Sequence, residues 1–378
     1  MNPIKKIYII IFKLMLRLAY KVFSLILKRD NNKFVIALYR SDELDGNPKF
    51  IYDQIMEQIP NAKVHFVYSQ NKMNLKLYRE VLELSNASYL ILDDYYLPIY
   101  LLKPRADLKV IQLWHAAGAF KKFGYSTLNT KFGPDKEYLK LVPIHSNYTN
   151  VYVSSTNIIN YYAEAFNMSP SKIYALGIPR VDFFSNKQIY NEVRADISRE
   201  YVLDRSINIL VAPTYRAEGR HMETSINFSE VIIRVSSKIT KGIRLIYKPH
   251  PYTSVVEINR LKACKNVLVV DKFSINEWML VADAFLTDYS SAVFEFGLLE
   301  KPLAHFMPDY KEYLDNRGFY QDIREISDGS ILLTEQELLN WLSARRKGEH
   351  FNTTRMINYN FDNLENISEK IVKHFTSE

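Results

Sequence analysis

The chain is expected to be an α/β protein: two doubly wound domains facing a cleft, preceded by an amphipathic helix. Three observations lead there. Its 378 residues, 47% of them hydrophobic, supply two cores of ordinary size. Ten short apolar runs alternate with helix-like stretches, which is the rhythm of open parallel sheets. The first thirty residues hold most of the excess positive charge.

That excess is a formal +7, from 49 Lys and Arg against 42 Asp and Glu. Spread evenly it would invite nucleic acid. Instead Lys5, Lys6, Lys13, Arg17, Lys21, Lys28 and Arg29 against Asp30 place +6 in residues 1–30 and leave +1 for the rest, so no nucleic-acid partner is expected. At about 100° per residue, Lys6, Lys13, Arg17, Lys21 and Lys28 fall with Ser24 inside an arc of about 80°, and apolar side chains fill the remainder. Such a helix is expected to lie in the plane of an anionic membrane, apolar side down, with its lysine stems snorkelling. Charges in the middle of the run argue against spanning, and no small-residue cleavage site marks a signal peptide. The alternative is a helix docked on its own protein.

After Asp30, "KFVIALY" (33–39), "KVHFVYS" (63–69), "SYLILDD" (88–94), "LKVIQLW" (108–114) and "NVYVSS" (150–155) are β-branched or aromatic runs of strand length. "PKFIYDQIMEQI" and "LKLYREVLELS" between them suit helices. A second set follows: "INILVAP" (207–213), "RLIYKPH" (244–250), "NVLVVD" (266–271), "AFLTD" (284–288) and "PLAHF" (302–306). The stretch from Pro179 to Ser206 is charged and weakly patterned, and is expected to bridge two sheets. "RMINYNFDNLENISEKIVKHF" reads as helical and is expected to brace one domain against the other. The expected organisation is a helix at 1–30, a first domain at 31–190, a second at 191–345 and a helical segment at 346–378.

In open parallel sheets, ligands bind beyond the carboxyl ends of the strands. His115 follows "VIQLW", His250 follows "LIYKP", Thr214, Tyr215 and Arg216 follow "ILVAP", and Asp288 to Ser291 follow "AFL". In "TDYSSAVFEF", Ser290 suits an N-cap, with Ser291 in the first turn and Glu295 about one turn on. Such a helix start offers N–H groups and hydroxyls to an anion, although capping alone accounts for one serine. Lys248 and His250, two apart in the proline-bracketed "YKPHP", point the same way along an extended backbone and can face one phosphate. Thr214 and Arg216 share that spacing, and a guanidinium can take two phosphate oxygens. In "HAAGAFKK", Gly118 allows the backbone to approach a ligand. Histidine is the side chain best suited to take a proton from a hydroxyl near neutral pH, which makes His115 a candidate base. Each residue alone has a plain structural alternative, a surface pair or a strand-end cap; together they read as a diphosphate pocket faced by a base.

The single cysteine, Cys264, excludes a disulfide framework and a cysteine-based metal cluster. No His/Cys/Asp/Glu spacing makes a metal site, and the Asp93–Asp94 pair lacks a partner motif for Mg²⁺. G-x-G-x-x-G, Walker A and G-x-S-x-G patterns are absent.

"QLWHAAGAFKKFG", "YVSS", "ALGIPRVDFF", "LVAPTYR", "YKPHP" and "LTDYSSAVFEFGLLEKP", in this order over residues 31–345, resemble the CDP-glycerol glycerophosphotransferase family, the teichoic acid primases and polymerases of Gram-positive bacteria. The resemblance implies a GT-B-like pair of Rossmann-type domains and peripheral, monotopic attachment to the cytoplasmic face of the cell membrane. It implies transfer of a polyol phosphate from CDP-glycerol or CDP-ribitol to a hydroxyl of a polyprenyl-diphosphate-linked saccharide, with release of CMP. It further implies that His115 is the general base, that His250 contacts or stabilises the donor phosphates, and that Asp288, Ser290, Ser291 and Glu295 bind phosphate and the nucleotide's sugar. Where many relatives have W-H-G, this chain has His115-Ala116-Ala117-Gly118, so Gly118 stands two places later than their glycine. No particular cofactor is implied; Mg²⁺ is compatible with the chemistry without any motif that calls for it, and so is a homo-oligomer. The rival readings are a GT-B glycosyltransferase using a nucleotide sugar and a non-catalytic membrane scaffold.

Overall fold

The computed structural model describes residues 1–38, 43–68, 72–203, 205–214, 226–250 and 253–377. Among them, β1 (Lys33–Leu38), β2 (Lys63–Tyr68), β3 (Tyr89–Leu92), β4 (Lys109–Gln112), β5 (Asn150–Tyr152) and β6 (Ile173–Tyr174) form one sheet in the order β2-β1-β3-β4-β5-β6. A second sheet joins β7 (Ile207–Val211), β8 (Ile243–Tyr247), β9 (Val267–Val269), β10 (Ala284–Thr287), β11 (Leu303–Phe306) and β12 (Ser330–Leu332) in the order β12-β11-β10-β7-β8-β9. All ten described strand pairings are parallel. Each of the ten apolar runs is a strand; β6 and β12, of two and three residues, are too short to show a period.

The apolar runs are continuous because the central strands are covered on both faces. β1, β10 and β11 are buried along their whole length, whereas β2, at the sheet edge, is largely open. Counted from β7, the second sheet has the order 3-2-1-4-5-6, which reverses between β7 and β10; the first reverses between β1 and β3. Those reversals open crevices at the carboxyl ends of the strands.

The helices that bear on the site are α1 (Pro3–Ile26), α2 (Gly46–Gln58), α3 (Lys76–Ser85), α4 (Lys187–Glu200), α5 (Ile275–Val281), α6 (Ala292–Gly297), α7 (Thr354–Asn360) and α8 (Ile367–Ser377). The stretch expected to be an unpatterned bridge is mostly α4. The Asn186 side chain accepts the N–H groups of Gln188 and Ile189, and only Val193 and Ile197, one turn apart, are buried. One apolar residue per turn is too narrow a stripe to announce a helix. Because α4 packs on α5, the boundary expected at 190 falls inside a helix carried by the second half. At the end of the chain, α7 packs on α6, while α8 returns to α2 of the first half. There the Asp182 carboxylate accepts the N–H groups of Ile367 and Ser368 at 2.9 and 2.8 Å, and Lys109 Nζ donates to the Phe375 carbonyl at 2.9 Å.

Helix α1 corrects the expectation of a wet basic stripe in its middle, at Lys13 and Arg17. Ile9, Phe12, Leu16 and Tyr20 are buried against the first half, chiefly on α3, and each contributes about 1.5–3 kcal/mol if fully withdrawn from water. The middle of the neighbouring basic stripe faces the protein as well, while Lys6 and Lys21 stay exposed. Lys13 Nζ donates to the Leu141 carbonyl, Arg17 Nε to the Leu101 carbonyl at 2.8 Å, and Ser24 Oγ to the Ser85 carbonyl at 3.1 Å. Leu141, Leu101 and Ser85 are the last residues of three helices, so these donors satisfy carbonyls without helical partners, at the negative ends of helix dipoles. Burial, with Arg17 and Lys103 nearby, lowers the pKa of Lys13. Beside those lysines the outer face is broadly apolar: Ile4, Ile7, Ile11, Leu14, Leu18 and Leu25 are all exposed, up to 77% at Leu25. Among the described residues no helix is long and apolar enough to cross a membrane.

Candidate active site

His115 stands just beyond β4 on a turn held under constraint. Trp114 has φ 53°, a left-handed conformation rare for a bulky side chain. Its N–H donates to Gln112 Oε1 at 2.8 Å, its carbonyl accepts Asn47 Nδ2 at 2.7 Å, and its ring packs among Tyr95, Phe123, His145 and Phe166. His115 is half-buried, with its ring against Trp114 at 4.4 Å. Its Nδ1 lies 3.1 Å from the Asp93 carbonyl oxygen and 3.7 Å from Asp94 Oδ2. A carbonyl can only accept, so Nδ1 carries the proton and Nε2 of the neutral ring carries the lone pair. Asp94 thus stands behind the histidine. Among the described residues no group of three or more His, Cys, Asp or Glu converges on one point.

In the second half, the polar residues gather at the reversal between β7 and β10. Thr214, after β7, donates its N–H to Asp288 Oδ1 at 2.9 Å and its hydroxyl to Asp288 Oδ2 at 3.1 Å. Asp288 is fully buried; Oδ1 also accepts the Tyr289 N–H at 2.7 Å, and its carbonyl accepts His305 Nδ1 at 3.0 Å. Its carboxylate therefore ties two strand-end loops together rather than lying open to an anion. Burial pushes the His305 pKa down to about 4, so this histidine is a neutral structural donor. Ser290 and Ser291 remain half-open beyond Asp288. Helix α6 starts one residue later than expected, at Ala292, and Ser290 Oγ accepts the Ala292 N–H at 3.2 Å. Tyr289, buried, donates to Asp309 Oδ1 at 2.7 Å and stacks on Tyr313 with centroids 3.9 Å apart.

The two halves meet at Glu295 of α6. Arg180 Nε and Nη2 donate to its Oε1 and Oε2 at 2.5 and 2.8 Å, and the Glu295 side chain is only 1% exposed. Both carboxylate oxygens of Glu295, which the resemblance assigned to the nucleotide's sugar, are engaged by an arginine of the first half. Burial works against the Arg180 charge, but Glu295, with Asp93 and Asp45, outweighs it and raises the pKa. Arg180 is thus within electrostatic reach of Asp93, whose carbonyl holds His115, and is bonded to the helix that follows Ser291. His115 and the Ser290–Ser291 loop consequently belong to one interface.

The remaining residues singled out from the sequence divide. Gly118, at φ 65°, does permit a close approach, but to the other half: a Cβ there would come within 2.7 Å of the Phe294 ring and 2.6 Å of Asn360. Lys248 Nζ turns to the carbonyls of Asp271 and Lys272, at 2.8 and 3.3 Å, rather than sharing a phosphate with His250. His250 is half-buried at the end of β8, beside the β7 end that carries Thr214. Arg216 lies outside the described residues. Sequence reasoning missed Arg180 and Asn47. The first sits in the quoted "ALGIPRVDFF", where an arginine inside an otherwise apolar motif was the available signal; nothing in the sequence marks Asn47.

Two facing parallel sheets, with polar residues gathered at the reversal of the second and a histidine presented by the first, define a GT-B-like enzyme. The chain belongs to the CDP-glycerol:poly(glycerophosphate) glycerophosphotransferase family, whose model matches residues 19–373. It is 33% identical over 374 residues to a teichoic acid ribitol-phosphate primase of Bacillus spizizenii, covering 95% of each chain. It is 31% identical to a teichoic acid poly(ribitol-phosphate) polymerase of the same organism, covering 94% of this chain and 57% of that one. Among solved structures, the wall teichoic acid polymerase TagF soaked with CDPG superposes with a TM-score of 0.72 over all of this chain and 98% of that one, at 17% identity. This last likeness concerns the fold.

Proposed function

We propose that the chain transfers a polyol phosphate, ribitol phosphate first among the candidates, from its CDP-activated form to a hydroxyl of a polyprenyl-diphosphate-linked saccharide. The acceptor oxygen attacks the phosphorus that bears the polyol, the bond from that phosphorus to CMP breaks, and His115 Nε2 takes the hydroxyl proton. Ser290, Ser291, Thr214 and His250 stand at the strand ends of the second half to receive the diphosphate. The observation that carries this reading is the junction itself, in which a ring with its lone pair on Nε2 belongs to the same interface as the loop of the second half. The end-to-end likeness to a ribitol-phosphate primase supports ribitol over glycerol. Incubating the protein with CDP-ribitol or CDP-glycerol and a synthetic lipid-linked disaccharide should release CMP and add one polyol phosphate to the acceptor mass. Product formation from sugar nucleotides alone would instead identify a glycosyltransferase.

We also propose that α1 lies on the membrane surface, led by its open apolar face rather than by its basic stripe. Lys21, exposed at the margin of that face, is placed to meet anionic headgroups. Because Ile7 and Leu14 are 58% and 60% exposed, replacing both with glutamate should leave the fold intact. The partition constant for phosphatidylglycerol vesicles, read by sedimentation, should fall about thirtyfold or more, the scale expected when two apolar anchors of about 1 kcal/mol or more each are lost. Unchanged sedimentation would remove α1 from the role.

A further inference from the structure

We infer that Asn47 and Arg180 are positioning residues that set the His115 turn against the donor loop of the second half. The inference rests on the transfer reaction proposed above and adds two residues to it. Asn47, in the first turn of α2, is 1% exposed, and each end of its amide is used: Nδ2 donates to the Trp114 carbonyl at 2.7 Å and Oδ1 accepts the Arg180 N–H at 3.0 Å. An amide offers a donor and an acceptor two bonds apart, and only one of its two orientations satisfies both partners. Burying such a group at a helix start is unfavourable unless both bonds form, so the two partners dictate the residue type.

One partner is the carbonyl of the residue with φ 53°, directly ahead of His115. A bulky residue keeps that conformation only where its surroundings over-determine it, and the Asn47 bond is one of the restraints that do so. The other partner is the backbone of Arg180, whose guanidinium grips Glu295 through two parallel bonds. Paired geometry of that kind fixes direction as well as distance. Glu295 lies one turn beyond Ser291, so the same residue that anchors the base's turn sets the start of α6. Neither Asn47 nor the paired face of Arg180 is needed to touch a reacting atom for this.

The test uses the full chain and CMP release. Asn47→Asp keeps the acceptor for Arg180 and loses the donor to Trp114; Arg180→Lys keeps the charge and loses the paired bonds. Each is expected to lower kcat about tenfold or more with the donor KM changed less than about threefold, a split that a purely stabilising residue would not produce. The acid limb of kcat/KM against pH should also shift in Asn47→Asp, and should stay in place in Val231→Ala, a core variant of the second half with comparable loss of stability. Unchanged kcat in both variants overturns the inference, as does a rise in donor KM that accounts for the whole loss, which would make Arg180 a donor-binding residue. No CMP from the unaltered protein with either CDP-polyol would instead overturn the transfer reaction itself.

Discussion

Replacing His115 with alanine is expected to lower kcat for polyol-phosphate transfer by about 10²–10⁴-fold, the range for loss of a positioned general base. CDP-polyol affinity should change little. The diphosphate is assigned to the far side of the interface, at Ser290, Ser291 and His250, whereas His115 is held by Asp93 and backed by Asp94. Equilibrium titration of the variant with CDP-ribitol, beside single-turnover rates, separates the two effects. Near-normal turnover would remove His115 from the chemistry. A parallel loss of affinity and rate would make it a binding group.

Replacing Arg180 with alanine is expected to destabilise the protein by about 3–5 kcal/mol, because breaking a buried ion pair leaves a charge without a partner. The two ends of the pair are not equivalent. Arg180 is 20% exposed on its side chain and also lies near Asp93 and Asp45, so in Glu295→Ala the guanidinium keeps compensation. Glu295 is 1% exposed and both its oxygens depend on Arg180. Arg180→Ala should therefore be the more damaging change, and Arg180→Lys should recover part of the loss. Urea unfolding followed by tryptophan fluorescence reads the order directly. A cost below about 1 kcal/mol would place the pair with exposed surface bridges, which contribute that little.

Ten of the twelve strands were legible because a sheet covered on both faces needs unbroken apolar runs such as "FVIAL" and "AFL", and those stand out from any polar context. The strand-end rule then brought Thr214, Asp288, Ser290 and Ser291 to one place, and the described geometry puts them at the β7–β10 reversal. Reading which partner each side chain faces was another matter. Lys248 and His250 share a period-two face, yet Lys248 bends its four-carbon stem to carbonyls of the next loop. Gly118 correctly marked a close approach and not what approaches. In α1 two neighbouring helices end beside the middle of the basic stripe, so their carbonyls take Lys13 and Arg17, which a membrane was expected to attract, while Lys6 and Lys21 stay exposed.

The amino-acid sequence by itself determined the layered α/β architecture, the family and the short list of polar strand ends, since each depends on period and residue type within a few consecutive positions. Only the tertiary structure decided that Glu295 is held by Arg180, that Asp288 is a buried tie, and that Asn47 supports the turn carrying the base. Those are contacts between residues more than sixty positions apart. A lone polar residue carries no local signal of the distant group that will satisfy it, and burial without such a partner is what the folded chain must avoid.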